Sequence, residues 1–562
     1  MQQLIECVPN FSEGRDMNVI KQITDEIEHI EGARLLNVDP GKATNRTVIT
    51  FVGSPEAVIE AAFQAIKKAG ELIDMSKHKG EHPRMGATDV CPLIPIANIS
   101  MEETAKWAQK LAERVGKELE IPAYLYEAAQ AKKERSNLSV IRAGEYEGFF
   151  KKIKLPEWKP DFGPAEFDAT RGATVIGARD FLVAYNVNLN TTSTRRANAI
   201  AFDVREAGRV KREGDPVTGK VVNDKDGKPA MIPGSLKSVK AIGWFIEEYG
   251  VAQISMNLTN INITPVHIAF DEVCTKANER GIRVTGSELV GLIPLKAMLD
   301  AGKYFLKKQK RSTGVSEKEL IKIAVKSMGL DELGPFKPEE RIIEYMLRNK
   351  ADSKLVSMTL IDFADETASE SPAPGGGSIS AYVGSLGAAL ATMVANLSSH
   401  KKGWDDRWEE FSNWADKGER YKSELVRLVD ADTAAFNKIM TAFGLPKGTE
   451  EEKNARTKAI QDATKFAIEI PFKVMQASYA SMEVIKAMAE IGNPNSVSDA
   501  GVGALCARSA VMGAFMNVRI NAAGYNDKNY VAEIVKLGKE IENKTVALEA
   551  EILKVVNEKI GV

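Results

Sequence analysis

A chain of 562 residues is too long for a single hydrophobic core, so we expect several domains. Its 75 Lys and Arg residues stand against 77 Asp and Glu, and the net charge of -2 provides no overall field that would attract nucleic acid or anionic lipid. The four cysteines form no C-x-x-C pair, which argues against a disulfide framework and a zinc ribbon. The composition therefore favours a reducing cytosol, with neither nucleic acid nor membrane as a partner.

Residues 1–180 alternate short apolar runs with longer amphipathic stretches, which predicts strands covered by helices. The runs are LIECVPN, RLLNVDP, RTVITFVG and TDVCPLIPI, and SPEAVIEAAFQAIKKAGELIDM is the clearest helix. The N-terminal MQQLIECVPNFSEGR has neither the basic nor the apolar segment of a secretory signal, so we expect a cytoplasmic location.

Polar residues collect after the first two predicted strands. In open α/β sheets, ligands favour such strand-end loops. Ordinary turn chemistry is the alternative, because Asn and Asp suit loops whatever the function, although it accounts less well for arginines. The residues are Asn10 and Arg15 after the first strand, and Asp39, Thr44, Asn45 and Arg46 after the second.

The stretch HKGEHPRMGATDVCP, from His78 to Pro92, holds two of the five histidines in a segment broken by Gly and Pro. Its first residues fit H-x-x-E-H, a zinc peptidase pattern, but that pattern requires a helix which Gly80 and Pro83 interrupt. A surface loop is a second interpretation. The third is general acid/base catalysis by a histidine, with Arg84 and Asp89 orienting the substrate or the ring.

Residues 157–178, EWKPDFGPAEFDATRGATVIGA, contain the Pro and Gly of a loop or domain junction. Trp158, Phe162 and Phe167 could flank a flat heterocycle, whereas a plain linker would be less aromatic. Arg171 could bind a carboxylate through two parallel hydrogen bonds.

The α/β pattern continues through residues 181–330, with strands DFLVAYNVNLN and VAQISMNLT, and DELGPFKPEE at 331–340 has the composition of a linker. Residues 341–562 lose the strand signals and predict an all-helical bundle. The uncharged stretch from Ser371 to Ser399 is long enough to cross a membrane, but its Gly, Ala and Ser favour a close-packed helix in a bundle or an oligomer interface.

Several long motifs together resemble the formiminotransferase-cyclodeaminase family. VPNFSEGR, NVDPGKATNRTVITFVG, GEHPRMGATDVCP and GPAEFDATRGATVIGARDFLVAYNVNLN resemble its formiminotransferase domain, and SPAPGGGSISAYVGSLGAALATMVANLS resembles its cyclodeaminase domain. The resemblance covers nearly the whole chain. It implies two α/β sandwich-like subdomains, at 1–180 and 181–330, followed by the all-α bundle.

The resemblance also implies a function. The first half would move the formimino group of N-formimino-L-glutamate to N5 of tetrahydrofolate, the co-substrate, with or without a polyglutamate tail. The helical half would then close 5-formiminotetrahydrofolate to 5,10-methenyltetrahydrofolate and release ammonia, in histidine degradation. Both steps need a proton shuttle and positioning more than a metal. We expect a homo-oligomer through both domain types, and a cyclohydrolase or a structural module remains the alternative for the helical part.

For the transferase, the resemblance makes His82 the catalytic proton carrier. It places substrate or folate contacts in two segments and at the turn that opens the apolar helix, where free backbone amides could meet an anion or a ring carbonyl. These residues are Arg84, Met85, Gly86 and Asp89; Gly163, Pro164, Ala165, Glu166, Phe167, Asp168, Ala169, Thr170, Arg171 and Gly172; and Gly375, Gly376, Gly377 and Ser378.

The helical part needs its own proton carrier, and its one histidine, His400, lies at the end of the apolar helix. In ELVRLVDADTAAFNKIM the helix phase turns Asp432 towards the buried face, one turn before Phe436, and rotates Asp430 about 200° away. Burial would raise the pKa of Asp432 and suit it to proton transfer. Asp430 stays open as the alternative, as does a solvated surface role for either.

Overall fold

The computed structural model describes residues 3–41, 45–80, 84–214, 218–347 and 354–561. The chain divides into an α/β unit, Met1–Ala297 with Met328–Leu347, and a helical unit, Met298–Ser327 with Arg348–Val562. The predicted fold class, α/β followed by all-α, is confirmed.

The first sheet of the α/β unit contains antiparallel and parallel pairs. Its order is β1-β4-β2-β5-β7-β6, with β3 paired to β4 and β1 also paired to β5. The pairs β5–β7 and β6–β7 are parallel. Within the described residues its strands are β1 (Leu4–Cys7), β2 (Asn10–Phe11), β3 (Ala33–Gly41), β4 (Arg46–Gly53), β5 (Thr88–Ala97), β6 (Ala123–Glu127) and β7 (Thr174–Ala178).

Helices cover this sheet because their apolar stripes need burial. In the helix after β4, the apolar stripe of Val58, Ala61, Ala62 and Ile66 is at most 1% exposed, and the Ser54 hydroxyl accepts from the Ala57 amide at 3.3 Å as an N-cap. The helices are α1 (Met17–Glu28), α2 (Pro55–Leu72), α3 (Met101–Glu118), α4 (Leu138–Ile141) and α5 (Glu145–Lys152).

The second sheet has the order β13-β14-β8-β15, all antiparallel, and two small hairpin pairings, β10–β11 and β9–β12, precede β13. Its described strands are β8 (Val183–Leu189), β9 (Arg209–Val210), β10 (Arg212–Glu213), β11 (Lys220–Val221), β12 (Met231–Ile232), β13 (Val239–Ile246), β14 (Val251–Leu258) and β15 (Val284–Val290). The next helices are α6 (Thr194–Val204), α7 (Val266–Asn278), α8 (Leu295–Lys308), α9 (Glu317–Met328), α10 (Pro338–Arg341) and α11 (Ile343–Leu347).

Residues Met298–Ser327 group with the helical unit, whereas the sequence prediction placed them in the subdomain 181–330. The physical reason lies in their partners. Lys303 pairs with Asp416 at 2.6 Å, and the Thr313 amide donates to the Ser412 hydroxyl at 2.9 Å. Conversely, Met328–Leu347, which includes the predicted linker 331–340, belongs to the α/β unit.

The helical unit continues with long helices packed side by side. They are α12 (Leu360–Ala368), α13 (Gly376–Ser399), α14 (Trp408–Phe443), α15 (Glu450–Ile491), α16 (Val497–Ala522) and α17 (Lys528–Ile560). By length and composition, Gly376–Ser399 and Pro494–Ala522 could cross a membrane, yet 61% and 50% of their most apolar windows are buried inside the unit. Core helices of globular domains pass the same test, so this likeness to a membrane span is weak.

Candidate active sites

In the α/β unit, Asn45 joins the loops that follow the first strands to the segment before β5. Its side-chain oxygen accepts from the Gly14 amide at 3.0 Å, and its Nδ2 donates to the Lys79 carbonyl at 3.0 Å. Its own carbonyl lies 2.9 Å from His78 Nε2. The structure therefore brings together the two loops that sequence analysis placed at strand ends and the segment that begins at His78.

Arg84 orients the ring of His78. Its Nε donates to His78 Nδ1 at 3.2 Å, and because a guanidinium only donates, Nε2 carries the ring proton and donates to Asn45. The remaining Arg84 nitrogens bind Glu147 at 2.7 and 3.0 Å, and this pairing holds the pKa of Glu147 below its usual range. Both ring nitrogens of His78 are thus engaged.

Two predicted site residues, His82 and Thr44, lie outside the described residues. His82 is also the second histidine of the H-x-x-E-H pattern. Among the residues that are described, no group of three or more His, Cys, Asp and Glu side chains could hold a metal ion.

Asp89 is the second residue of β5. It is 1% exposed, accepts from the Met85 amide at 3.1 Å, and binds Arg142 through one guanidinium edge, with Nε at 3.2 Å to one carboxylate oxygen and Nη2 on the other. Arg46 lies close by. Burial, only partly offset by Asp89 and reinforced by Arg142, lowers the pKa of Arg46 to about 10.

Sequence analysis missed both Arg142 and Glu147. Arg142 directly follows the short helix α4 and Glu147 lies in α5, both far along the chain from the segment that they contact. One signal was available: a buried Asp and a buried Arg each require an opposite charge. The sequence does not show which residue supplies that opposite charge.

A cavity of about 750 Å³ in the α/β unit is lined by four basic side chains, by amides and by the carboxylates of Glu127 and Asp180. Asn10 and Arg46 from the predicted set line it, together with Arg142, Arg179 and Lys240. Such a lining suits a substrate that carries carboxylates. An adjoining cavity of about 500 Å³ shares Asn10 and Arg179 and adds the predicted Asp39 and the buried Glu6.

The loop Gly163–Gly172 packs against the His78–Pro92 segment. The Met75 amide donates to the Thr170 carbonyl at 2.8 Å, the Ala87 amide to the Arg171 carbonyl at 2.8 Å, and Gly86 pairs with Gly172. This loop lines neither of the two cavities, and Pro164, Ala165, Glu166, Ala169 and Thr170 are at least partly exposed.

The side chains of this loop make internal contacts. Arg171 binds Asp168 at 2.6 Å and the Leu119 carbonyl at 2.6 Å, which differs from the expected contact with a substrate carboxylate because Asp168 supplies a local one. Phe167 packs with Tyr146 at 5.5 Å between ring centroids. Met85 is buried at 1% exposure as a core residue, whereas Arg15 is exposed.

In the helical unit, Asp432 lies against the turn that opens α13. Its Oδ2 accepts from the Ser378 hydroxyl at 3.2 Å and its carboxylate also accepts from the Ser378 amide. A Cβ on Gly377 would lie 2.2 Å from Asp432 Oδ1, so only glycine leaves room there. Burial raises the pKa of Asp432, and the Ser378 hydrogen bonds offset this in part.

Asp430 has a different environment. Its two oxygens accept from the amides of Leu355 and Val356 at 2.8 and 3.3 Å. It therefore caps the chain segment before α12, while Asp432, two residues on, faces the α13 turn. The two aspartates diverge as the helix phase predicts.

Two cavities that share lining residues lie in this region; the smaller one is lined by Asp432 and the larger one by Asp430. A small one of about 110 Å³ is lined by Asp432, Gly375, Gly376 and Phe436, among others. A larger one of about 1100 Å³ shares Pro372, Ala373 and Thr433 with it and includes Arg427 and Lys438. The small cavity has room for one functional group, and the large one for the body of a substrate.

Comparisons with known proteins give matches in both parts of the chain. Residues 4–179 match the N-terminal subdomain of the formiminotransferase domain, residues 184–348 match the formiminotransferase domain, and residues 359–540 match formiminotransferase-cyclodeaminase. A formimidoyltransferase-cyclodeaminase from Gallus gallus is 45% identical over 534 residues, 95% of each chain.

Relatives that match only part of the chain also exist. A glutamate formimidoyltransferase from Streptococcus pyogenes serotype M1 is 40% identical over 306 residues, 54% of this chain and 94% of that protein. A methenyltetrahydrofolate cyclohydrolase from Methylorubrum extorquens is 36% identical over 203 residues, 36% of this chain and 98% of that protein.

An α/β unit with a cavity rich in basic side chains and a helical unit with a partly buried aspartate are consistent with a two-part enzyme that has a candidate site in each part. The matches identify the family to which this enzyme belongs. The chain belongs to the formimidoyltransferase-cyclodeaminase family, and the resemblance found in its motifs is confirmed.

Proposed function

We propose that the α/β unit transfers the formimino group of N-formimino-L-glutamate to N5 of tetrahydrofolate, and that the helical unit cyclises the product. The observation that carries this is the family match across both parts of the chain, from residue 4 to residue 540. The products are glutamate, then 5,10-methenyltetrahydrofolate and ammonia, and the pathway is histidine degradation. Tetrahydrofolate is a co-substrate.

His82 is the proton carrier of the transferase. The neighbouring network of Asn45, His78, Arg84 and Glu147 supports this role, because it fixes the backbone on either side of the segment that carries His82. A general acid/base works only when it is held within reach of the reacting proton. No metal takes part in either reaction.

The substrate carboxylates and the folate bind in the α/β unit. Arg46 and Asn10 bind the substrate carboxylates in the cavity of about 750 Å³, and the loop Gly163–Gly172 contacts the pterin. The packing of that loop on the described part of the His78–Pro92 segment supports this, because the Ala87 amide donates to the Arg171 carbonyl and so joins two sets of proposed folate contacts. The other contacts are Arg15, Asp39, Thr44, Asn45, Arg84, Met85, Gly86 and Asp89.

Asp432 is the acid/base of the cyclisation. N10 attacks the formimino carbon, Asp432 accepts the N10 proton and returns it to the formimino nitrogen, and the bond from that carbon to ammonia breaks. The raised pKa of Asp432, caused first by burial, supports both halves of this transfer. The turn Gly375–Ser378 positions the carboxylate.

The enzyme is also a cytoplasmic homo-oligomer. Exposed apolar side chains support self-association through both units, since each set lies on one element. On α13 they are Leu386, Met393 and Leu397, and on β13 they are Ile242, Trp244 and Phe245.

A coupled assay tests the whole proposal. N-formimino-L-glutamate and tetrahydrofolate are supplied, and glutamate, ammonia and methenyl absorbance are followed together. We expect all three to appear, with glutamate first. Glutamate appears without ammonia if the protein is a monofunctional transferase. In that case ammonia is also absent when 5-formiminotetrahydrofolate is supplied directly, and the helical part is a cyclohydrolase or a structural module.

A further inference from the structure

The small cavity beside Asp432 has polar side chains that the sequence did not indicate. Asn517 and Asn521 lie one turn apart on α16 and both line it. At about 110 Å³ the cavity is well below the roughly 300–1,000 Å³ of sites that enclose a whole small molecule. It therefore receives the reacting group of a substrate whose body lies elsewhere.

The orientation of the two side-chain amides follows from their partners. Asn517 Nδ2 donates to the Gly513 carbonyl at 2.9 Å, and Asn521 Nδ2 donates to the Ala467 carbonyl at 2.8 Å. Carbonyls only accept, so these contacts assign the nitrogens and leave the Oδ1 atoms as acceptors. Within the described residues, neither Oδ1 receives a hydrogen bond from the protein.

Asn517 also lies directly against the α13 turn. A Cβ on Gly376 would be 3.2 Å from Asn517 Nδ2 and 3.7 Å from its Oδ1. The next residue, Gly377, makes the same kind of close approach to Asp432. Consecutive glycines thus bring an amide and a carboxylate to the same turn.

We propose that Asn517 and Asn521 bind the terminal nitrogen of the formimino group and make the helical site specific for this nitrogen over the oxygen of a 5-formyl group. This rests on the proposed cyclodeaminase function. A protonated formimino nitrogen has hydrogens to donate and no lone pair, and the two Oδ1 atoms and the Asp432 carboxylate are acceptors. A formyl oxygen has no hydrogen to donate and would leave the two Oδ1 atoms without a partner, which a polar site rejects strongly.

The same contacts persist during the reaction. After N10 attacks, the tetrahedral carbon carries an NH₂ group, which gains a proton from Asp432 and leaves as ammonia while the N5 lone pair re-forms the double bond. The departing nitrogen is most positive just before it leaves. Acceptors fixed at that position bind it more tightly than the starting group, and such differential binding raises kcat.

The test uses the full-length protein with Asn517→Leu and Asn521→Leu as single variants. Leucine keeps the approximate volume and removes the acceptor. We expect kcat/KM for ammonia release from 5-formiminotetrahydrofolate to fall about 10- to 100-fold in each. The inhibition constant of 5-formyltetrahydrofolate should stay the same or decrease, because the acceptors that oppose its oxygen are gone.

Asn557→Leu, at an exposed position on α17, is the matched control and should change neither quantity. Retention of kcat/KM within about threefold in both variants would overturn the inference. An equal loss of affinity for 5-formiminotetrahydrofolate and for 5-formyltetrahydrofolate would also overturn it, because such a loss indicates general damage to the site. Failure of the underlying function looks different: the wild-type protein itself would release no ammonia.

Discussion

At the scale of single residues, His82 and Asp432 are expected to act independently. His82→Ala should lower the transferase rate by about 10²–10⁴-fold, because that is what a positioned general acid/base contributes. Cyclisation of supplied 5-formiminotetrahydrofolate should be unchanged, since the helical unit has its own acid/base. Separate assays of the two steps check this, and near-normal transfer in the variant would refute the assignment.

Asp432→Asn should abolish ammonia release while transfer persists and 5-formiminotetrahydrofolate accumulates. The change keeps the shape of the side chain and removes the carboxylate that accepts the proton, whose pKa is raised by burial. The matched control is Asp430→Asn, which should retain activity and lose about 1–2 kcal/mol of stability as its bonds to Leu355 and Val356 weaken. The reverse result would assign the chemistry to Asp430.

The ionisation of Glu6 makes the stability of the folded protein depend on pH. Burial raises its pKa from 4.5 to about 7, with a smaller opposing effect of Arg179. As pH rises from 4.5 to 7 the unfolded chain loses this proton while the folded chain keeps it, so folding becomes less favourable, by about 3 kcal/mol in full.

The corresponding variant is Glu6→Gln, which cannot ionise. We expect it to be more stable than the wild type at pH 8, with the difference shrinking as pH falls to 5. Thermal unfolding across this range measures it. A stability difference that does not change with pH would show that Glu6 titrates normally in the folded protein.

At the scale of elements, the turn into α13 depends on a glycine for space. Gly377→Ala places a methyl group where the Asp432 carboxylate lies, at 2.2 Å from Oδ1, and must displace it. We expect cyclisation to fall by more than about tenfold while transfer is unaffected. Gly524→Ala is the control, because its nearest neighbour would be 3.9 Å away. Full cyclodeaminase activity in Gly377→Ala would contradict the observed placement of Asp432.

At the scale of the whole molecule, the two units have separate hydrophobic cores. Phe51 is fully buried in the core of the α/β unit and Phe411 in that of the helical unit. Calorimetry should therefore show two transitions. Phe51→Ala and Phe411→Ala should each remove about 3–5 kcal/mol from one transition and leave the other in place. A single transition shifted by both variants would show that the units unfold together.

Much of this organisation was predictable from the sequence, for identifiable reasons. The change from alternating strands and helices to uninterrupted helical periodicity predicted an α/β region followed by a helical bundle, because each element type needs its own spacing of apolar residues, although it did not predict that Met298–Ser327 group with the helical unit. The helix phase likewise separated Asp432 from Asp430, since 100° per residue is a local property. Long motifs identified the family.

Other features were decided only by the tertiary structure. Arg142 meets Asp89, and Glu147 meets Arg84, across more than fifty residues of chain, and sequence spacing carries no information about such partners. Asn517 and Asn521 are ordinary residues of an apolar helix until α16 packs beside α13 and both side chains line the same cavity as Asp432. The sequence by itself determined which chemistry the chain can perform, because reactive groups and periodicity are local; which side chains assist that chemistry depends on packing between distant elements.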